Sequence, residues 1–212
     1  GIMYWINIVV VKYGYMPLWM GVSAMLLLAA ALAAYFSLFA TGALYLWRSG
    51  IPLYVAAPPL WVVVEFAKSH LFTGFPWMNL GYSQAGNLLL VQSADVFGVF
   101  GISFFVVLVN ALVYHGLKKI PDYGKTAACA AACLAIVSSA MLYGYWRVQD
   151  INSILADRPE MKMSLIQGNI DQSKKWDAKF ERESLDAFLR LTAAAPNSSP
   201  GLVIWPETAT PF

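Results

Sequence analysis

Charge is what this 212-residue chain has least of. Asp, Glu, Lys and Arg make up 12% of it, against 59% hydrophobic residues. A soluble domain carries about 25% charged and about 45–50% apolar residues. The chain therefore has roughly half the charge that a water-facing surface needs, and long apolar runs must account for the excess. A net charge of +2 with no basic stripe excludes nucleic acid as a partner. Cysteine is also scarce. Cys129 and Cys133 lie in one apolar segment at i and i+4, where a disulfide would strain a helix and two thiols are too few for a metal. They read as small packing residues between membrane helices. Neither a metal nor another cofactor is expected. The chain starts at Gly1 inside apolar text, without a basic n-region or cleavage site, and stops after a strand-like segment. It reads as truncated at both ends.

What is there in quantity is membrane-length apolar sequence. Leu18 to Trp47 carries no charge, has Trp at both ends and stops at Arg48, Gly50 and Pro52. At about 1.5 Å per residue it crosses a hydrocarbon core of roughly 30 Å with length to spare. Leu88 to Leu117 and Thr126 to Trp146 are expected as two further spans. Leu53 to Phe66, with Pro58 and Pro59, is long enough only if its helix continues towards His70. Ile2 to Val11 reads as the last turns of an earlier helix. Arg48 lies in one connection, and Lys118, Lys119 and Lys125 in another. Counting crossings puts both on one side, which the positive-inside rule makes cytoplasmic. Ser69 to Asn87 and everything after Trp146 then fall on the opposite side, the periplasm if the membrane is a bacterial inner one.

After Trp146 the text changes character. Arg147 to Glu160 is expected as a polar linker, and Met161 to Ile166 as a strand ending at Gln167-Gly168-Asn169. Asp177 to Thr192 places Phe180, Leu185, Phe188, Leu189 and Leu191 among charges, an amphipathic helix. Leu202 to Trp205 is a second strand, reached through the turn-rich Pro196–Pro200. Strand, helix and strand make one βαβ unit, the start of an α/β domain. The organisation predicted is a helical membrane domain over residues 1–147, a linker over 148–160 and an α/β beginning over 161–212.

Glu207 stands out because it directly follows a buried-type strand, in Trp205-Pro206-Glu207-Thr208. Functional groups in α/β folds gather at the carboxyl ends of parallel strands. Beside Trp205 and Pro206 its carboxylate is expected to be partly desolvated, which suits it to take a proton. An ordinary surface loop glutamate is the plainer reading of the same position. Glu65, three residues before Lys68, has a helical i,i+3 pair available near an interface.

Three stretches occur in order along the chain: Phe72-Thr-Gly-Phe-Pro-Trp77 with Gly81-Tyr-Ser-Gln84; Gln167-Gly-Asn-Ile170 with Gln172 and Lys175-Trp176; and Ile204-Trp-Pro-Glu207. The last resembles the first catalytic motif of the nitrilase superfamily, whose triad is Glu, Lys and Cys. On a polytopic membrane scaffold, the set resembles the apolipoprotein N-acyltransferase family over essentially the whole chain. The resemblance implies a nitrilase-like αββα sandwich after the membrane domain. It also implies transfer of an acyl chain from a phospholipid to the N-terminal amine of a diacylglyceryl-cysteine apolipoprotein, through a cysteine thioester. Glu207 would be the general base. The triad lysine and cysteine have no match here: Cys129 and Cys133 lie in a membrane helix, and Lys162, Lys174, Lys175 and Lys179 do not fit the lysine motif. The chain alone is expected to be inactive.

The resemblance also gives Trp77, in the Phe72–Gln84 loop that helps admit lipid, and Trp176 as substrate-binding residues. Lys68 and His70 flank that loop, and Lys68 is taken as a further substrate-binding candidate, near a lipid phosphate head group. Interfacial anchoring explains Trp77, Lys68 and His70 as well, and Lys174 and Lys175 fit either contact with lipid phosphates or, more commonly, a solvated surface pair. A membrane-tethered nitrilase-type amidase, or another acyltransferase, shares Glu207 and stays open from that residue alone. A non-catalytic scaffold or transporter is a third class, disfavoured by the absence of paired interrupted spans.

Overall fold

The computed structural model describes residues 3–171, 175, 177–195, 201–207 and 209. By its internal contacts the chain divides into two units, Gly1–Ala156 and Asp157–Phe212. The first is helical. A short α1 (Tyr4–Ile8) runs into a π-turn at Val9–Tyr13, followed by α2 (Leu18–Arg48), α3 (Leu53–His70), α4 (Leu88–Val91), α5 (Ala94–Lys118) and α6 (Tyr123–Ala156). Helices α2, α5 and α6 are long and apolar enough to cross a membrane. They leave large side chains such as Leu27, Leu38, Leu134 and Leu142 exposed, as a lipid-facing surface requires. The unit is a polytopic membrane domain.

Helix α3 packs on both α2 and α5, and α5 on α6. It does continue to His70, and its 18 residues give it a length of about 27 Å. Its contact face is made small and flat by Ala56, Ala57 and Pro58, all buried. The two ends of the bundle differ chemically. At one, the Lys118 ammonium lies 5.0 Å from the Trp47 ring centre and Tyr54 meets His115 edge-on at 5.0 Å. Arg48 and the Lys118–Lys125 connection therefore share an end. At the other, Tyr143 and Arg147 of α6 both donate to Asp95 of α5, at 2.9 and 2.8 Å.

Two expectations for this unit need correction. The span expected from Leu88 to Leu117 is two helices, and Gly98 interrupts the second with φ 64° and ψ −174°. Polar side chains explain the first break: Asn87 caps α4 by accepting the Leu90 N–H at 3.2 Å, and the Ser93 hydroxyl donates to the Leu90 carbonyl at 2.8 Å. The stretch expected as a linker from Arg147 is helical to Ala156. Arg147 bonds Asp95 through Nε and, one turn on, Asp150 through Nη1 at 2.6 Å. This tertiary and i,i+3 pairing carries the helix past its apolar part.

Small residues set the helix spacing. Gly144 of α6 is buried against α4, and a Cβ there would run into the Leu89 backbone carbonyl. Gly144→Ala should cost about 1–3 kcal/mol by forcing the helices apart. A detergent-solubilised thermal melt is expected to show a clearly lower Tm; an unchanged Tm would contradict the close approach.

In the second unit, β1 (Met163–Leu165) and β2 (Leu202–Ile204) pair in parallel, with Met163 opposite Leu202 and Leu165 opposite Ile204. Between them α7 (Glu181–Ala193) follows a 3₁₀ turn at Ala178–Phe180, which Asp177 caps through the Lys179 N–H. Among the described residues the sheet has these two strands only. Its core is Ile166, Phe188 and Ala209, with Ile170, Ala195, Val203 and Trp205 against it. Phe188 of α7 stacks on Trp205 at 5.4 Å, and the Trp205 indole donates to Thr192 at 2.9 Å.

Candidate active site

Parallel pairing brings the carboxyl ends of β1 and β2 to one edge. The chain leaves them through Gln167–Ile170 and through Pro206 and Glu207, and a cavity of about 170 Å³ opens there. Gln167, Gly168, Asn169, Lys175, Ser184 and Pro206 are among its lining residues. Local backbone geometry shapes the rim. A Cβ on Gly168 would stand 2.6 Å from the Phe188 ring, so any larger residue there would have to push that ring aside. Asn169 takes a φ of 49°, the left-handed region that Asn tolerates. Lys175 reaches across, its ammonium donating to the Glu207 backbone carbonyl at 3.4 Å. Lys175 was expected as part of a solvated pair, and its partner is invisible in sequence because it depends on strand register.

Glu207 itself is exposed. The partial desolvation expected from Trp205 and Pro206 is not provided: Trp205 turns its indole to Thr192 and its ring to Phe188. Trp176 lies outside the described residues.

The first unit holds a second region, the loop after α3. His70 stays on its own helix, stacked on Phe66 at 4.0 Å. Phe72, Thr73 and Gly74 follow with φ of 55°, 90° and 76° and turn the chain back sharply. The Phe75 N–H then donates to the Lys68 carbonyl at 2.9 Å. Further on, the Gly81 N–H donates to the fully buried Ser103 hydroxyl of α5 at 2.8 Å. Between these anchors Trp77 is 58% exposed, with Phe75 beside it at 5.1 Å.

Lys68 and Glu65 do not close into the i,i+3 pair available to them. The Lys68 ammonium donates instead to the Trp77 carbonyl at 2.9 Å, and Glu65 Oε1 accepts the Leu80 N–H at 2.6 Å. Both side chains, with Tyr35, Trp61 and Met78, border a cavity of about 30 Å³, room for about one water. Among the described residues no group of three or more His, Cys, Asp or Glu could hold a metal ion.

A family model, the apolipoprotein N-acyltransferase N-terminal domain, matches residues 1–112, more than half of the chain. The chain belongs to the apolipoprotein N-acyltransferase family. A family member from Geobacter metallireducens, itself named apolipoprotein N-acyltransferase, is 37% identical over 222 residues, covering 100% of this chain and 41% of that protein. The Sinorhizobium fredii and Pasteurella multocida proteins of the same name are 35% and 30% identical, covering 87% and 98% of this chain and 34% and 39% of their own lengths. The chain thus spans about two fifths or less of these three family members.

Proposed function

We propose that this chain supplies the membrane domain and the general base of an enzyme that moves an acyl chain from a phospholipid to the N-terminal amine of a diacylglyceryl-cysteine apolipoprotein. The observation that carries the reading is the convergence of Gln167–Ile170 and Pro206–Glu207 at the carboxyl edge of a parallel strand pair, where α/β folds place their chemistry. Family membership supports the substrate classes. The fold read here is the start of a nitrilase-like αββα sandwich, and the nucleophilic cysteine and the triad lysine come from outside these residues.

In the first step Glu207 takes the thiol proton and the thiolate attacks the sn-1 ester carbonyl. The ester C–O bond breaks, the lysophospholipid alkoxide receives the proton back, and a thioester is left. In the second step the acceptor amine attacks the thioester, Glu207 takes the amine proton, and the C–S bond breaks to give an amide and the thiolate. The lysine stabilises the oxyanion of each tetrahedral intermediate. Lys175 steadies the backbone of Glu207. Trp77, Lys68 and Trp176 handle lipid, Trp77 by ring contact and Lys68 through the loop that it holds.

The basic end of the bundle, with Arg48 and Lys118–Lys125, is read as cytoplasmic, in a bacterial inner membrane. Asp95, Arg147, the Phe72–Gln84 loop and the residues after α6 are read as periplasmic. The test is a transfer assay on a full-length family member carrying this sequence, with phospholipid vesicles and a diacylglyceryl-cysteine peptide. Expected are an N-acylated peptide and an equal amount of lysophospholipid. Fatty acid release without peptide acylation would favour hydrolysis and contradict the assignment.

A further inference from the structure

We infer that Glu65 is a positioning residue that, together with Lys68, clamps the backbone from Trp77 to Leu80 and so fixes where the Trp77 ring is presented to lipid. The inference rests on the reading of Trp77 as a lipid-contacting residue and adds what holds it in place. Glu65 is 4% exposed in a helix whose other buried residues are Ala56, Ala57 and Pro58. A carboxyl group buried there is costly unless it is bonded. Its bond goes to the loop: Oε1 takes the Leu80 N–H at 2.6 Å. One turn further along α3, the Lys68 ammonium donates to the Trp77 carbonyl at 2.9 Å. Two side chains of one helix face thus grip both ends of a four-residue segment.

The segment between the grips is strained. Met78 has a φ of 61°, unfavourable for a long side chain, and such residues persist only where their surroundings over-determine them. Trp77 and Met78 are 58% and 46% exposed, so their own packing does not hold them there. Glu65 Oε2 and the Trp61 indole N–H are buried without a protein partner beside the small cavity under Met78. An apolar residue would serve helix packing better than this carboxylate does. The loop's backbone is what calls for an acceptor at this position.

The test compares Glu65→Leu with Glu65→Gln in the full-length protein, in lipid nanodiscs. Gln keeps an oxygen that can accept the Leu80 N–H; Leu keeps the bulk without it. Hydrogen exchange over residues 71–84 is expected to be roughly tenfold faster in Glu65→Leu, the effect of losing a bond worth about 1.4 kcal/mol. Exchange in α2, α5 and α6 should not change, and Glu65→Gln should match the wild type. In the transfer assay Glu65→Leu should raise KM for phospholipid several-fold with little change in kcat, and Glu65→Gln should restore it.

Unchanged exchange over 71–84 in Glu65→Leu would overturn the clamp. Faster exchange spread over all helices would overturn it in favour of a general packing role. Faster loop exchange with an unaltered KM would overturn the positioning of Trp77. A wild type that transfers no acyl chain would instead count against the proposed function, and the exchange data would still decide the clamp.

Discussion

Glu207→Gln in a full-length family member carrying this sequence is expected to lower acyl transfer by about 10²–10⁴-fold, the range for removing a positioned proton acceptor. The amide has the size of the carboxylate and keeps a hydrogen-bonding oxygen, but it cannot take a proton at neutral pH. The loss should therefore appear in kcat with phospholipid binding retained. Register is the structural reason to place the effect here. Pairing of Leu165 with Ile204 makes the chain leave both strands at one edge, so that Gln167–Ile170 and Pro206 line one cavity, and Glu207 follows directly, its carbonyl held by the cavity-lining Lys175. Retention of activity to within tenfold, measured as N-acylated peptide, would return Glu207 to an ordinary loop carboxylate.

Phe188→Ala should have the largest effect on stability. Phe188 is 4% exposed, and its ring stacks on Trp205, lies under Gly168 and lines the cavity. One side chain thus joins the helix, the loop after β1 and the end of β2. Truncating a buried Phe costs about 3–5 kcal/mol, a large share of what a small core supplies. Limited proteolysis of the full-length protein in membranes is expected to cut within residues 161–209 of the variant. Fragments that end in the helices of the first unit should persist. Equal resistance of variant and wild type would show that Phe188 is not the keystone of this core.

Membrane architecture was legible because hydrocarbon imposes a simple length and polarity rule. Leu18 to Trp47 contains no charge and is one helix. The βαβ reading rested on apolar patterning and on turn residues that bound the segments, and Met163–Leu165, Glu181–Ala193 and Leu202–Ile204 fall where it put them. What escaped depends on partners distant in sequence. Helix α6 outruns its apolar part because Arg147 finds Asp95, 52 residues earlier. The break at Gly98 needs a positive φ that no periodicity reveals. Glu65 and Lys68 looked like a pair for each other, whereas the turn at Phe72–Gly74 brings Leu80 and Trp77 within their reach. A lone acid in an otherwise apolar helix, one turn from a lone base, was the available signal. Trp205 was expected to desolvate Glu207, but its indole is committed to Thr192 on α7, a contact fixed by helix orientation.

Intact-mass and peptide mapping of the full-length protein after incubation with phospholipid alone tests the central claim most directly. The account predicts a hydroxylamine-labile acyl adduct on a cysteine outside this chain, formed by the wild type and strongly reduced in Glu207→Gln. An adduct on Cys129 or Cys133, or one that forms equally well without the Glu207 carboxylate, would contradict it.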